Sequence, residues 1–388
     1  MACNVEQCRP NHGRLGKVKS AVSGEHLTDE SVSGIMNRSE TSFVILDRQP
    51  CGSLEGKWRA CLAASDFPTH YTAPEFFLEP SLRSKRPFAI LSLAGEDVTG
   101  VLTGVHEGDR IQSGLSVRPQ IAFSRAADPS HAMTNLIAGV LQEARSATLV
   151  DFFVWSDMAG MVDARFQKRP YEGVVVMDLP RDPEVIFRKL SPKRRTDIRR
   201  VIKSGVSVHV AESQDDISAY YDIHREWARR KGQPLVEEKE FRETFALTGN
   251  RRLLLAQYKE RIIAGVVHRF FPGGVMEYAA NNSLESALQL RPNDLLQWRA
   301  IEWGCTEGIT KYSLGGAHPF LRKFGGQVVP TTRCRLDLSI FRRYAIGDWF
   351  TDQAQRARPF IPDQLADVAR SVRGFLAKPR TPWLQKGA

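Results

Sequence analysis

Residue types suited to proton transfer and anion binding concentrate in one segment of this 388-residue chain, from Glu277 to Gly326. The segment reads as a strand, EYAANNS, then a helix, RPNDLLQWRAIEWGCTEG, a second strand, YSLGG, and a turn, PFLRKFGG. A strand that leads into a helix N-terminus often holds an anionic group, because free backbone N–H groups and the helix dipole point toward it. The segment therefore predicts a site for an anionic substrate.

Two side chains on the first strand are candidates for proton transfer. Glu277 follows Met276 on an apolar strand, and a carboxylate that is partly buried there has a raised pKa and can accept a proton from an amine. Tyr278 can protonate a leaving group. The sequence leaves two alternatives open: a solvated Glu277 on a two-faced strand, and a Tyr278 that packs in the core.

The residues from Arg291 to Asp294 predict the start of the helix. Pro292 suits the first turn, and Asn293 or Asp294 can bond the free N–H groups. Arg291 would then clamp a phosphate or carboxylate at this terminus, and simple capping of the helix is the alternative.

A strongly basic stretch, 182–204, predicts two helices divided at Pro192, with Ser191 as N-cap of the second. Arg195 and Arg199 share one face of that helix, and arginine is well shaped for bidentate contact with phosphate. The stretch therefore indicates binding of an anionic donor or acceptor, such as tRNA or a diphosphate-linked saccharide, while a solvated helix face is the alternative. The predicted binding residues are Lys193, Arg194, Arg195, Arg199, Arg291 and Asn293.

The order of the motifs KRRTDIRRVIKSGV, IIAGVV, EYAA, RPNDLLQWRAIEWG, YSLGG and FLRKFGG resembles the FemAB-like and BioF2-like branch of the GNAT superfamily. The resemblance covers about 170–335 well and 43–170 more loosely. It implies an α/β fold of tandem GNAT-like modules, each with a mixed central sheet flanked by helices. It also implies transfer of an acyl or aminoacyl group to an amine, with acyl-CoA or aminoacyl-tRNA as donor and no metal.

Two departures from the family pattern bear on the donor and on catalysis. A CoA-binding GNAT protein usually has a glycine-rich pyrophosphate loop before this helix, whereas the chain reads SALQLRPNDLLQW, and side chains hinder close approach of phosphate. Relatives often have a lysine directly after the first phenylalanine of the final turn, but Leu321 follows Phe320 here. Lys323 is therefore the candidate to stabilise developing charge, from a shifted position, and a basic turn on the surface is the alternative.

Composition and local patterns predict the organisation of the chain. We expect a disordered leader over 1–40, modules over 41–172 and 173–342, and an amphipathic helical tail over 343–388 that either touches a membrane or packs on its own protein. Helices are expected at 55–65, 130–146, 215–231 with Asp215 as its cap, 237–247 and 293–307. His224 and His268 lack metal-ligand spacing, which predicts structural roles for both.

The overall balance of residues indicates an anionic partner and a reducing compartment. The net charge is +10, and the six cysteines form no CxxC pair, so we expect reduced thiols and a cytoplasmic location. No sequence segment is apolar enough to predict a signal peptide or a membrane span.

These observations lead to one interpretation and two alternatives. We expect an N-acyltransferase that acts on an amine of a cell-envelope or polysaccharide precursor. In its second module, central strands should part beside a helix tip and leave an open slot for the reaction. The alternatives are an acetyl-CoA-dependent N-acetyltransferase of a small molecule or sugar amine, and a non-catalytic module that binds an acidic polymer.

Overall fold

The computed structural model describes residues 14–17, 42–114, 117–246, 248–316, 319–347 and 349. The contacts divide them into one compact body that ends at Leu336 and a second that begins at Asp337. The predicted boundary between modules at 172/173 falls inside a strand, and it stays a prediction. The rest of the predicted leader and the tail beyond 349 lie outside the described residues.

Among the described residues, the N-terminal half of the large body contains seven strands and two α-helices. They are β1 (Arg14–Lys17), β2 (Ser42–Leu46), α1 (Ser53–Ala63), β3 (Arg86–Ala94), β4 (Asp97–Glu107), β5 (Arg110–Ser113), β6 (Ile121–Phe123), α2 (Pro129–Glu143) and β7 (Leu149–Trp155). β1 lies within the predicted disordered leader and is instead paired antiparallel with β2, and this pairing satisfies backbone N–H and C=O groups of both strands. The predicted helices at 55–65 and 130–146 are confirmed as α1 and α2.

The C-terminal half contains the segment with the candidate residues. Its elements are β8 (Gln167–Asp178), α3 (Glu184–Lys189), α4 (Pro192–Lys203), β9 (Ser207–Val210), α5 (Gln214–Lys231), α6 (Glu238–Ala246), β10 (Arg251–Tyr258), β11 (Arg261–Phe270), β12 (Val275–Ser283), α7 (Pro292–Thr306), β13 (Lys311–Gly316), α8 (Pro319–Arg322) and β14 (Gln327–Asp337). The remaining predicted helices are therefore confirmed within a few residues.

Local chemistry explains where these helices begin. Ser191 caps α4, since its hydroxyl accepts the Arg194 N–H, as the sequence predicts. The predicted cap of α5 is wrong: Ser213, not Asp215, precedes the helix, and it forms a reciprocal capping box with Asp216. α5 ends at Gly232, whose φ of 60° is the left-handed conformation that glycine adopts without strain.

One sheet runs through the large body in the order β1-β2-β3-β4-β5-β7-β14-β8-β13-β12-β11-β10-β9, with β6 beside β4. Most pairs are antiparallel, but β5 with β7 and β12 with β13 are parallel. Each parallel pair is joined by a connection that contains a helix, α2 or α7, as such pairs require. The mixed sheet with flanking helices confirms the predicted α/β fold class.

The apolar core fixes α7 in place. Leu295, Leu296, Ala300 and Ile301 are buried, and α7 packs against β10, β11, β12 and α4. Burying one such leucine or isoleucine contributes roughly 1.5–3 kcal/mol. The N-terminus of α7 is therefore held at a defined position beside the end of β12.

The second body begins with a turn that Asp337 organises. Its carboxylate accepts the backbone N–H groups of Ser339, Tyr344 and Ala345, and residues 343–347 are helical. Ile340 and Phe341 are 80% and 87% exposed. The predicted membrane contact of the tail stays a prediction, because most of the tail lies outside the described residues.

None of the helices in the described ranges is both long and apolar enough to cross a membrane.

Candidate functional site

The strands β12 and β13 part beside the N-terminus of α7, as the sequence predicts. Their parallel register joins Val275 with Lys311, Met276 with Tyr312, and Glu277 with Ser313. Beyond these pairs, β12 continues along β11 as far as Ser283, while β13 stays with β8. A gap therefore opens directly after Glu277 and Ser313.

A β-bulge in β12 contributes to this separation. Val267 of β11 faces Ala280 and His268 faces Tyr278, so Ala279 is an extra residue on β12. Bulges bend the strand that carries them, and here the bend follows the last pair with β13. Ala280 is exposed although it belongs to a central strand, so this part of β12 is open to solvent.

Arg118, from the connection between β5 and β6, occupies the inner end of the gap. Its Nη2 donates to the Tyr278 carbonyl at 2.8 Å, and its Nη1 lies 3.6 Å from Glu277 Oε1. A Cβ on Gly315 would lie 3.1 Å from Nη2, so the glycine leaves room for the guanidinium. The expectation of an open slot is therefore wrong at this end, because a side chain from the N-terminal half fills it.

Glu277 is 1% exposed, which excludes the solvated alternative. Burial raises the pKa of its carboxyl group, and the positive charges of Arg118 and then Arg269 oppose this, with a net raised pKa. Its Oε2 and the hydroxyl of the neighbouring Ser313 are buried and have no hydrogen-bond partner among the described residues. A carboxylate in this state is suited to accept a proton.

Tyr278 is half-buried beside the gap, and burial raises the pKa of its phenol to about 12. The hydroxyl therefore keeps its proton at neutral pH.

On the adjacent strand, His268 Nε2 lies 2.7 Å from the Tyr312 hydroxyl, to which Gln297 also donates. Burial lowers the pKa of His268 to about 3, so the ring is neutral, in agreement with a structural role.

The N-terminus of α7 is occupied by the protein's own charges. Arg194 is hydrogen-bonded to Asp294, and both are buried, while Arg291 forms an ion pair with Asp197 at 2.6 Å. Asn293 accepts a hydrogen bond from Ser283 at 2.9 Å. Arg194 and Arg291 thus join α4 to α7, and the structure does not bring them together as an open clamp for an anion.

Of the other predicted cations, some contact neighbouring groups of the protein and some are exposed to solvent. Arg195 donates to the carbonyls of Arg188 and Leu190, and the guanidinium of Arg199 lies over the Phe187 ring at 5.4 Å. Lys193 and Arg199 are exposed on α4, as are Arg200 and Lys203. This exposed face remains available to an anionic partner.

Lys323 lies on the exposed turn after α8 rather than in the cluster around Glu277. The next residue, Phe324, is buried, and its ring lies 4.9 Å from the guanidinium carbon of Arg194. The turn therefore belongs to the α4–α7 side of the domain.

A buried ionic cluster that the sequence did not indicate joins the two halves. Glu79 accepts hydrogen bonds from Arg251 at 2.6 Å and from Arg269 at 3.0 and 3.1 Å, and it also contacts His70. Burial raises the pKa of Glu79, but His70, Arg269 and Arg251 outweigh it and hold the pKa well below its usual range. No pattern of neighbouring residues predicts the position of Arg118 or this cluster. Apart from the contact between Glu79 and His70, their contacts join residues more than 150 positions apart.

A broad groove of about 890 Å³ lies elsewhere, between α5 and the β10–β11 hairpin. Its lining mixes acids and bases, among them Asp222, Glu226, Arg225 and Arg261. The groove does not include the gap residues, and this mixture of charges indicates no single class of ligand. Within the described ranges, no group of three or more His, Cys, Asp or Glu side chains is arranged to hold a metal.

Residues 192–321 match the family model described as an acetyltransferase (GNAT) domain. The match runs from α4 to α8 and contains β12, α7 and β13. The matched segment is therefore similar to a GNAT domain, and it contains the strands that part. No curated protein matches the sequence significantly.

Solved structures share the fold over a stretch of this chain that is longer than residues 192–321, and FemX and L-PGS are two of them. FemX is 12% identical, with a TM-score of 0.56, and the alignment covers 74% of this chain and 97% of FemX. L-PGS from Bacillus licheniformis is 12% identical, with a TM-score of 0.51, and the alignment covers 80% of this chain and 98% of L-PGS. The resemblance to the FemAB-like branch of the GNAT superfamily is confirmed at the level of the fold.

Proposed function

We propose that this protein is an N-acyltransferase that moves an acyl or aminoacyl group from an activated ester or thioester to an amine. The acceptor amine belongs to a cell-envelope or polysaccharide precursor. The observation that carries the proposal is the buried Glu277 carboxylate, with its raised pKa, where β12 and β13 part inside a GNAT domain.

Aminolysis needs an amine without its extra proton, a polarised carbonyl and the alignment of both. In the proposed step, the amine nitrogen bonds to the acyl carbon, and Glu277 accepts the proton that the nitrogen loses. The carbon–oxygen or carbon–sulfur bond to the leaving group breaks, and the Tyr278 hydroxyl supplies its proton. Lys323 is the proposed cation for the developing negative charge, which requires its turn to approach the gap.

The donor is an acyl-CoA or an aminoacyl-tRNA. The N-terminus of α7, where a CoA pyrophosphate would bind, is already occupied by the Asp294 carboxylate, which is paired with Arg194. Exposed cations on α4, Lys193 and Arg199 among them, support a longer anionic donor such as tRNA. Both donors, and the unpaired buried thiols of Cys61, Cys305 and Cys334, support a cytoplasmic location.

Binding of both donor classes tests the proposal. We expect aminoacyl-tRNA to bind with an affinity that falls steeply with salt, and acetyl-CoA to protect the protein weakly from heat. Transfer to an amine acceptor should accompany binding of the productive donor. Saturable protection by acetyl-CoA with turnover on a small amine would favour the N-acetyltransferase alternative.

If neither donor binds and no amine is acylated, the enzyme proposal fails. Binding of an acidic polysaccharide under the same conditions would then favour the non-catalytic module. Lys193→Ala together with Arg199→Ala provides a matched test of the α4 face. The double variant should lower the slope of tRNA affinity against salt by about 2, because each substitution leaves one phosphate without its neutralising cation.

A further inference from the structure

Arg118 lies beside the Glu277 carboxylate, although it comes from the other half of the chain. Its Nη1 lies 3.6 Å from Glu277 Oε1, and the two side chains are 12% and 2% exposed. The guanidinium also donates to the Tyr278 carbonyl on the side of β12 that β13 has left. Arg118 therefore occupies the inner end of the gap, where β13 no longer pairs with β12.

The backbone holds Arg118 in this place at a cost. Val117, directly before it, has a φ of 66°, which a β-branched residue rarely adopts. Residues with such strain persist where the surroundings fix them, and they cluster at functional sites. Gly315 across the gap leaves the space that the guanidinium fills.

The other charges around Glu277 are already engaged with one another. Arg269, the cross-strand partner of Glu277 on β11, makes two hydrogen bonds to Glu79. The negative charge of Glu79 opposes ionisation of Glu277. Glu79 and the buried Tyr71 both lie on the turns that precede β3. Ser313 on β13 is uncharged. Arg118 is therefore the cation whose charge is least compensated by other partners.

We propose that Arg118 is a positioning residue of the acyl-transfer centre, which holds the Glu277 carboxylate charged and oriented where β12 and β13 part. This inference rests on the proposed function. Burial alone would keep the carboxyl group protonated and unable to accept a proton from the amine. The site is then built by both halves of the chain, with the base from one and its counter-charge from the other.

Replacement of Arg118 by glutamine tests this role. Removing an adjacent arginine charge raises a carboxyl pKa by about 1–3 units. In Arg118→Gln we therefore expect transfer at pH 7 to fall, the acid limb of the pH–rate profile to move up by about 1–3 pH units, and activity to recover at higher pH. Arg118→Lys should lie between this variant and wild type, because it keeps the charge but not the planar fork.

A second measurement does not need turnover. Infrared titration follows the protonated carboxyl band, and Glu277→Gln identifies the band by removing it. That band should appear at a higher pH in Arg118→Gln than in wild type. Arg165→Gln, which loses an exposed arginine paired with Asp163, is the matched control and should move neither readout.

The outcomes separate the two proposals. Turnover by wild type with an unmoved acid limb and an unmoved band in Arg118→Gln overturns the role of Arg118 and leaves the enzyme proposal standing. A shifted band without turnover by wild type on any donor overturns the enzyme proposal, while the electrostatic hold on Glu277 stands. Neither turnover nor a shift overturns both.

Discussion

At the scale of single residues, burial decides what each candidate can do. Glu277 is enclosed, so its pKa is raised, whereas Lys323 stands on an exposed turn. Residue type and position in the sequence favour both as candidates. The structure gives them different surroundings, and their roles in transfer can therefore be tested separately.

We expect Glu277→Gln to lower kcat by about 10²–10⁴-fold, because glutamine has a similar shape but cannot accept the proton. Lys323→Ala should also lower kcat while leaving the thermal unfolding midpoint unchanged, since the side chain is exposed. Steady-state kinetics on purified variants measure both effects. Lys239→Ala, an exposed lysine on α6, is the control, and a wild-type rate in Lys323→Ala would remove that lysine from the mechanism.

At the scale of elements, ion pairs join α4 to α7. The sequence predicts both helices but does not predict that they are in contact. Arg194 of α4 is bonded to Asp294 of α7, so the terminus expected to bind an anion is neutralised within the protein. Burial raises the pKa of Asp294, and Arg194 and Arg291 oppose this. Breaking such a pair leaves an uncompensated buried charge. The α4–α7 contact is therefore a structural joint, with the exposed face of α4 left for a partner.

The turn between β10 and β11 is strained in a way that substitution can relieve. Lys259 and Glu260 have φ values of 46° and 63°, a geometry that two-residue hairpins usually give to Asn-Gly. We expect Lys259→Asn with Glu260→Gly to stabilise the protein by about 1 kcal/mol, measured by chemical denaturation. Glu96→Gly, in the β3–β4 turn without a positive φ, should not stabilise it, and equal gains in both would contradict the strain argument.

At the scale of the whole large body, the two halves share one sheet and one buried ionic cluster. Glu79 lies before β3 in the N-terminal half and binds Arg251 and Arg269 of the C-terminal half. Its depressed pKa means that it stabilises the fold at pH values above the unfolded pKa of about 4.3. This stability is lost as the pH falls from there toward the lower folded pKa.

Glu79→Gln should therefore lower the free energy of unfolding by about 3–5 kcal/mol at pH 7, because buried arginines lose their counter-charge. The deficit relative to wild type should shrink as the pH falls below about 4, where wild type itself begins to lose the charge. Denaturant titrations at several pH values measure this. A deficit that does not depend on pH would show that Glu79 acts through packing.

Much of the fold follows from local patterns. Apolar periodicity located the helices, and Ser191 with Pro192 marked the start of α4. The error at the α5 cap, Ser213 rather than Asp215, is of the kind expected where several capping residues stand together. The sequence predicts which strands and which helix border the candidate site, but it does not predict that Arg118 lies in the gap or that ion pairs occupy the N-terminus of α7.

The sequence by itself determined the element order, the GNAT-like arrangement of strand, helix and strand, and the position of Glu277 on the strand that borders the gap. Those features depend on periods of two to four residues and on neighbours along the chain. The tertiary structure decided that Arg118 enters the gap, that Arg194 faces Asp294 and that Glu79 joins the halves. These contacts link residues 100 to 190 positions apart, and packing of the whole sheet, rather than any local pattern, brings them together.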